Sequence, residues 1–315
     1  MAARTYIGIG SVGDIVKEIQ RALSGAGFDT KGIDGWFGQN TVSALRSFQQ
    51  SRQLPLTGAV DEPSWRQLLQ RPVPSVFERS LQLTAAFEGH GFGLAVGNFD
   101  DALMTWGIIG FTLASGEIPQ IVNAINLNHP ELLRQAFQDS AQELFDLMNE
   151  SPEQQTLWAD QHTLGDGSLV QPWRQMFAVF GSFPEVQEEQ MKHVVSDYLE
   201  PAIQTARKLN LGTELGLALC FDISVQNGGI KRAAMTQIQQ DSVAGIAESE
   251  LLSLIANAVA DNSRAKFRED VRRRKLTIAR GQGTVHGHSY VLENWGLSGS
   301  FSAAELQAAA ANAAD

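Results

Sequence analysis

The chain has 315 residues, of which 43% are hydrophobic and 19% are charged, and its formal net charge is −11. This length fits two domains, and this apolar content is enough for a folded core, which excludes a largely disordered chain. The acidic balance argues against nucleic acid and anionic membrane surfaces as partners, because proteins that bind them are usually basic. The acidic charge does not argue against a polysaccharide partner, because a polysaccharide can be bound through hydrogen bonds and stacking.

The chain has one cysteine, Cys220, so an internal disulfide is excluded and no oxidising compartment is required. Its first residues lack the apolar run of a secretory signal, and its most apolar segment is too short to span a bilayer. We therefore expect a monomer that is made in the cytoplasm and does not insert into membranes. It would reach a target outside the membrane through a holin, lysis or a secretion machine.

Residues 1–70 are predicted to form a bundle of three short helices. Apolar residues recur at helical spacing from Val12 to Leu23, and the next two helices are centred near Phe48 and Leu68. A turn rich in glycine and aspartate separates the first two helices at 32–41. Residues 71–75, with the sequence RPVPS, contain two prolines and are predicted to be a linker.

The turn at 32–41 contains the motif GIDGWFGQNT, and the pair Phe48–Gln49 follows it. This pattern resembles the peptidoglycan-binding domain of cell-wall hydrolases, which implies bacterial peptidoglycan as a partner. The backbone amides of the turn could face a ligand, the helix start near Thr41 could receive a carboxylate, and an exposed Trp36 or Phe37 could stack on a sugar or peptide. The alternative is that the turn only closes the bundle. The candidate binding residues are Asp34, Gly35, Trp36, Phe37, Gly38 and Thr41.

Residues 76–297 are predicted to form a second, mostly helical domain, and residues 298–315 an Ala-rich tail. The segment at 213–227 is apolar on nearly every side, which is typical of a helix in the middle of a domain. The segment after 275 is expected to be irregular or hairpin-like. The predicted helices lie at 76–88, 117–128, 130–149, 185–210, 213–227, 243–259 and 261–274.

Two acidic positions near the start of this domain suggest glycosidic bond cleavage. Glu88 follows an apolar run, whereas Asp100 and Asp101 lie about a dozen residues later, across a Gly-rich stretch. Partial burial of Glu88 would favour the protonated form of a general acid, and a more solvated aspartate would stay ionised and activate water. A flexible stretch at 89–97 would allow the wide separation of carboxyls that inversion requires.

Five ordered blocks of this domain resemble glycoside hydrolase family 46, the chitosanases, and their lysozyme-like relatives. They are Glu88, the block from Asp100 to Phe111, Gly116–Glu117, Pro184–Leu211 and Glu214–Gly229. The resemblance implies a lysozyme-like, largely helical (α+β) fold, with Glu88 as acid, Asp100 as base and Thr105 holding the water. Asp101 is the alternative base, and Glu117 and His90 would bind substrate.

The sequence departs from the family pattern at Ala102 and Leu103, where the family usually has an arginine followed by a small residue. This departure and the wall-binding pattern favour a peptidoglycan hydrolase of the muramidase type over a chitosanase. We expect a phage endolysin, with a chromosomal autolysin or an injected antibacterial effector as the other settings. The alternatives are a chitosanase that carries a wall module and a non-catalytic wall-binding protein.

Other chemistry-bearing residues are assigned to the scaffold. Asp222 lies in the most apolar helix, where an unpaired carboxylate would be very costly, so we expect a cationic partner among residues 272–274. His286 and His288 do not have the spacing of a metal site, and Cys220 is expected to be a core residue. The sequence therefore predicts neither a metal nor another cofactor.

Overall fold

The structure is a computed structural model that describes residues 4–89, 91–98, 102–304 and 306. Helices dominate the described chain, and its short strands form three small sheets. This confirms the predicted mainly α fold. The chain divides into two compact units, the first made of residues 1–87 and 198–315 and the second of residues 88–197. No described helix is long and apolar enough to cross a bilayer.

The N-terminal module belongs to the first unit and contains the three predicted helices. Its elements are β1 (Thr5–Ile7), α1 (Asp14–Gly25), α2 (Gln39–Ser51), β2 (Val60–Asp61) and α3 (Glu62–Leu69). The two strands pair antiparallel. The apolar helix faces meet in one core around Leu45, Phe48 and Trp65. Helices of this length depend on such tertiary packing for their stability.

The second unit begins at Glu88, the last residue of α4 (Val76–Glu88). Its strands form one antiparallel sheet in the order β3-β4-β5. In its core, the ring of Trp106 stacks on that of Phe180 with centroids 5.3 Å apart. The three strands and the helices of this unit are β3 (Ala95–Val96), β4 (Thr105–Trp106), β5 (Phe111–Thr112), α5 (Glu117–Asn128), α6 (Pro130–Phe137), α7 (Ala141–Met148), α8 (Pro152–Gln161), α9 (Trp173–Phe180) and α10 (Pro184–His193).

The rest of the first unit is helical up to a C-terminal hairpin. α12 is buried on nearly all sides, as its apolar sequence predicts. The strands of the hairpin pair antiparallel across a two-residue turn. The elements are α11 (Glu200–Lys208), α12 (Glu214–Asn227), α13 (Arg232–Asp241), α14 (Glu248–Asp261), α15 (Arg268–Arg280), β6 (Gln282–Val285) and β7 (His288–Val291).

Two of the predicted long helices are interrupted. The helix predicted at 130–149 breaks at Gln138, whose φ of 51° is incompatible with a right-handed helix. The helix predicted at 185–210 contains a π-helical turn at Val194–Leu199, shortly before Pro201, which has no amide to donate. The short helices α8, α9 and α13 were not predicted, because segments of eight to ten residues are too short to show a clear helical period.

The N-terminal module packs against the C-terminal part of its own unit. The amide of Gly8 and the hydroxyl of Ser11 both donate to the carbonyl of Asn294, at 2.8 and 2.7 Å. The ring of Trp36 lies against that of His288, with centroids 6.5 Å apart. The module is therefore held at the hairpin region by direct contacts as well as through residues 71–75.

A buried charge cluster joins three helices of the first unit around Asp222. Its carboxylate accepts hydrogen bonds from Thr84 of α4 at 3.0 Å, from Arg274 of α15 at 2.7 Å and from Lys275 of α15 at 2.5 Å. Burial alone would raise the pKa of Asp222, but the two cations and their hydrogen bonds outweigh burial and lower this pKa to about 2. Asp222 is thus ionised and bound on three sides.

Replacing Asp222 with Asn removes the carboxylate that pairs with two buried cations, Arg274 and Lys275. We expect Asp222→Asn to reduce the free energy of unfolding by about 3–5 kcal/mol, measured by chemical denaturation at pH 7. The pKa of Asp222 lies below its ordinary value of 3.8, so its contribution is complete above about pH 4 and is lost as the pH falls towards 2. The difference between the two proteins should therefore shrink over that interval.

The exposed Asp241 at the end of α13 provides the matched control. Asp241→Asn should change the free energy of unfolding by less than about 0.5 kcal/mol. If Asp222→Asn were equally mild, or if its effect were constant down to pH 2, the charge cluster would not have the stabilising role described.

Candidate active site

Glu88, the predicted general acid, lies at the C-terminal end of α4 and its side chain is half-buried. The helix ends there because Gly89 follows with a φ of 70°, which glycine adopts without strain. One turn earlier, Thr84 donates to Asp222. The last turn of the helix is thus fixed by the buried charge cluster.

Thr105 lies in the central strand of the three-stranded sheet. It is paired with Val96 on β3 and with Thr112 on β5. Its side chain is only 8% exposed, and its hydroxyl has no hydrogen-bond partner among the described residues. A buried polar atom normally has a partner, which can be an ordered water. The water-holding role of Thr105 stays a prediction, which this buried hydroxyl makes testable.

A buried glutamine fixes the turn that follows Thr105. The side chain of Gln190 on α10 accepts a hydrogen bond from the amide of Ile108 at 3.0 Å and donates one to the carbonyl of Phe92 at 3.0 Å. Gly107 has a φ of 93°, and a Cβ atom there would lie 2.6 Å from Oε1 of Gln190. Gln190 was not predicted as a site residue, since nothing in its sequence context distinguishes it from a surface glutamine.

Glu117, a predicted substrate-binding residue, is brought close to Thr105 by the sheet. Its carboxylate accepts hydrogen bonds from the amide of Thr112 at 3.0 Å and from the hydroxyl of Ser115 at 2.6 Å. Thr112 is the strand partner of Thr105. One carboxylate oxygen of Glu117 thus closes the turn between β5 and α5. This turn follows β5, the strand that pairs with Thr105.

Three predicted site residues, Asp100, Asp101 and His90, lie outside the described residues. The chain on both sides of the two aspartates is anchored. The amide of Asn98 donates to the hydroxyl of Thr163 at 2.8 Å, and the amide of Ala114 donates to the carbonyl of Ala102 at 3.2 Å. Ala102 is thereby held beside the turn that contains Glu117.

The Gly-rich stretch before the aspartates is packed closely at Gly93 and Gly97, which corrects the prediction of a flexible segment at these two positions. A Cβ atom at Gly93 would lie 2.8 Å from the carbonyl oxygen of Ala178, and one at Gly97 would lie 2.4 Å from the hydroxyl of Thr163. These two glycines allow the backbone to approach its neighbours. Their presence is therefore not an argument for an adjustable separation of the carboxyls.

The predicted ligand-binding turn of the N-terminal module is occupied by its own hydrogen bonds. Gln20 of α1 accepts from the amide of Gly35 at 2.9 Å and donates to Asp34 at 2.8 Å. These contacts, first the Gln20 side chain and then the Trp36 amide, lower the pKa of Asp34. The amides of Phe37 and Gly38 also donate within the module. The prediction that these amides face a ligand is therefore wrong.

The structure separates the two aromatic candidates of this turn. Phe37 is fully buried in the core of the module, so the prediction that it could stack on a ligand is wrong, whereas Trp36 is 48% exposed. Thr41 is the third residue of α2 and is buried, and the N-cap is Gly38. Of the two aromatic candidates, Trp36 is thus the one that is exposed enough to contact a sugar or peptide.

Comparison with protein families assigns both parts of the chain. The peptidoglycan binding domain model matches residues 12–68, and the glycosyl hydrolase family 46 model matches residues 89–253, just over half of the chain. The chain belongs to glycosyl hydrolase family 46. The family match begins directly after Glu88. This family 46 protein is therefore a glycoside hydrolase with a peptidoglycan-binding domain.

Solved structures of similar fold are chitosanases of this family. One is a Gynuella sunshinyii GH46 chitosanase in complex with chitotetraose, which shares 18% sequence identity with this family 46 protein. The TM-score is 0.50, and the match covers 70% of this chain and 99% of that chain. A Bacillus subtilis chitosanase mutant in complex with six glucosamine units shares 18% identity, with a TM-score of 0.49 over 66% and 86% of the two chains. At this identity the likeness to the Gynuella enzyme shows the fold alone. A comparison with curated proteins found no match.

Cys220 and His286 have scaffold contacts in this family 46 protein. Burial raises the pKa of the Cys220 thiol to about 12, so the thiol is protonated and is a poor nucleophile. The ring of His286 contacts the carboxylate of Asp270 at 2.8 Å. Neither residue contributes to the arrangement around Thr105 and Glu117.

The buried hydroxyl of Thr105 provides a test of the water-holding role. We expect Thr105→Val, which keeps the shape of the side chain, to lower kcat for glycan hydrolysis by about tenfold to a hundredfold with little change in KM, because a misplaced water affects mainly the chemical step. Thr105→Ser keeps the hydroxyl and should retain most of the activity. Equal losses in both variants, or a change confined to KM, would contradict this role. Steady-state kinetics on soluble oligosaccharides would measure both constants.

Proposed function

We propose that this protein is a peptidoglycan hydrolase that cleaves the β-1,4 glycosidic bonds of the bacterial wall, as a muramidase does. The observation that supports this most strongly is the direct packing of the peptidoglycan-binding module on the hairpin region, through Asn294 and through the Trp36–His288 contact. A module packed in this way presents Trp36 in a fixed orientation. Wall glycan bound there raises the local concentration of substrate for the same chain.

In the proposed mechanism, Glu88 donates a proton to the leaving glycosidic oxygen. Asp100, or Asp101 as the alternative, accepts a proton from a water molecule that Thr105 holds, and this water attacks the sugar from the opposite face. The result is hydrolysis with inversion and without a cofactor. Glu117 and His90 would bind substrate hydroxyl groups. The unpaired, buried hydroxyl of Thr105 is the geometric support for the water position.

A chitosanase that carries a wall module is the second candidate function. It is favoured by the family, whose structurally similar members were solved with chitosan oligomers. It is disfavoured by the positions where this chain has Ala102 and Leu103 in place of the usual family residues. Leu103 has a φ of 63°, so the backbone there is strained and turns sharply before β4.

We further propose a bacteriolytic role of the endolysin type, in phage or in a related setting. The protein would be made as a monomer in the host cytoplasm, released through a holin-type pore or by lysis, and would then act on the wall. The acidic chain with a single cysteine fits synthesis in a reducing compartment.

Replacing Glu88 with Gln tests the catalytic proposal. We expect Glu88→Gln to lower the rate of wall hydrolysis by about 10²–10⁴-fold, because it removes the proton donor while keeping the shape of the side chain. Mass spectrometry of digested, purified sacculi would measure the released muropeptides and identify the new reducing end. Glu185→Gln, at an exposed position on α10, is the matched control and should be as active as the wild type.

The same digests distinguish the candidate functions. N-acetylmuramic acid at the new reducing end, released by wild type and not by Glu88→Gln, supports the proposal. Glucosamine oligomers from chitosan with no muropeptides from sacculi would favour the chitosanase. Equal lysis by Glu88→Gln and wild type would contradict catalysis by this carboxyl.

The exposed ring of Trp36 is expected to contribute to wall binding. Trp36→Ala should weaken sedimentation with insoluble sacculi by about tenfold, which corresponds to about 1.4 kcal/mol, and leave the cleavage of soluble fragments unchanged, because the large area of a Trp ring dominates the energetics of a contact surface. Leu56→Ala, at a site of the module that is 57% exposed, should bind as the wild type does. If both variants bound equally, the binding surface would lie elsewhere on the module.

A further inference from the structure

A groove runs along α15 beside the C-terminal hairpin, with a volume of about 620 Å³. One wall is the face of α15 that carries Arg273, Leu276 and Arg280. The other wall is β6, from Gln282 to the turn at His286. All of these residues belong to the first unit. The site chemistry described above uses none of them.

The floor of the groove is formed by a close approach of the hairpin to the helix. A Cβ atom at Gly283 would lie 2.2 Å from the hydroxyl of Thr277, which itself donates to the carbonyl of Arg273 at 2.8 Å. Any larger residue at position 283 would push β6 away from α15. The groove is therefore a defined feature of the packing between these two elements.

The edge of β6 that faces away from β7 offers unpaired backbone groups. The amide of Leu292 donates to the carbonyl of Gly281, and the register pairs Gly283 with Tyr290 and Thr284 with Ser289. Because hydrogen-bonded and non-hydrogen-bonded pairs alternate in an antiparallel ladder, the N–H and C=O groups of Thr284 point away from β7. An extended peptide can add to such an edge as a further strand.

The charges along the groove leave two arginines for a ligand. Asp270 pairs with His286 at 2.8 Å, and Glu269 pairs with Arg272 at 3.2 Å. Within the described chain, Arg273 and Arg280 form no ion pair, and both side chains are exposed. Two helical turns separate them, which is about 10 Å along the axis. An extended peptide of four residues spans about 13 Å, so it could place a carboxylate near each arginine.

We propose that this groove binds the carboxylate-bearing stem peptide of peptidoglycan in an extended conformation. This inference rests on the proposed function, since it names a second part of the same substrate. The stem peptide has backbone amides for the edge of β6 and several free carboxylates for Arg273 and Arg280. The other strand of the hairpin carries His288, which contacts Trp36 of the wall-binding module. Module and groove thus lie on the two sides of one hairpin.

Peptide binding to the full-length protein tests the two arginines. The probe is a synthetic tetrapeptide with the wall sequence L-Ala, D-Glu, a diamino acid and D-Ala, titrated by calorimetry. We expect Arg273→Gln and Arg280→Gln each to weaken binding at least about tenfold, because each removes a charge-assisted hydrogen bond. A fully amidated peptide, which has no free carboxylates, should bind the wild type as weakly as the unmodified peptide binds the arginine variants. Arg232→Gln, at an exposed position on α13 outside the groove, is the control and should not change binding.

Two proline variants of the hairpin test the strand edge. Thr284→Pro removes an amide that points away from β7 on a strand that lines the groove, whereas Ser289→Pro removes the amide of its strand partner, which points to the opposite edge. We expect Thr284→Pro to weaken peptide binding about tenfold and Ser289→Pro to leave it unchanged. Far-ultraviolet circular dichroism and thermal melting would verify that both variants are folded.

Three results would overturn this proposal. The first is no binding of the tetrapeptide at millimolar concentration. The second is equal binding by the arginine variants and the wild type. The third is displacement of the peptide by equimolar inorganic phosphate, which would indicate a general anion site. Failure of the proposed function gives a different result, since wild type would then release no muropeptides from sacculi whatever the groove binds. Cleavage of peptide-free glycan strands should be the same for wild type and the arginine variants.

Discussion

The ionised carboxylate of Asp222 is the interaction on which the first unit most depends. It is fully buried and touches α4 through Thr84 and α15 through Arg274 and Lys275. A buried carboxylate is tolerated only when its charge and its hydrogen bonds are matched, and here both cations come from one helix. The cluster therefore fixes the helix that ends at Glu88 and the helix that forms one wall of the Arg273–Arg280 groove.

The packing of the N-terminal module changes how its contribution to function is understood. A module on a flexible linker raises the local concentration of substrate but presents the substrate in many orientations. A packed module presents it in one orientation. The carbonyl of Asn294 accepts two hydrogen bonds from the module, and the buried Glu214 pairs with both Arg4 and Arg79. Breaking these contacts would take Arg4 away from the buried carboxylate of Glu214, so the module holds Trp36 in one orientation against the hairpin.

The sequence predicted the helical fold and the need for a cation at Asp222, because both follow from apolar periodicity and from the cost of a buried charge. It left open which of three consecutive arginines faces inward, and Lys275 was not predicted at all. Phe37 and Trp36 are neighbours in one motif, and only packing decides that the first is buried and the second is exposed. Gly93 and Gly97 have the composition of a flexible segment, although their role is to allow close contact with Ala178 and Thr163. The burial of a side chain and the packing of a glycine both depend on residues that are distant in sequence, so the local pattern did not predict them.

Neutral amides hold the turns that carry candidate ligand-binding residues. Gln20 binds the turn that presents Trp36, and Gln190 binds the turn after Thr105. A glutamine can donate and accept at once, and burying it costs far less than burying a charge, provided that its hydrogen bonds are made. Neither amide titrates, and the carboxylate of Asp34 in the first turn has a lowered pKa, so both turns keep these hydrogen bonds above about pH 4. The charge cluster around Asp222 is also intact above about pH 4, since the pKa of Asp222 is about 2. Between weakly acidic and neutral pH, the hydrogen bonds of these two turns and of the Asp222 cluster are therefore unchanged.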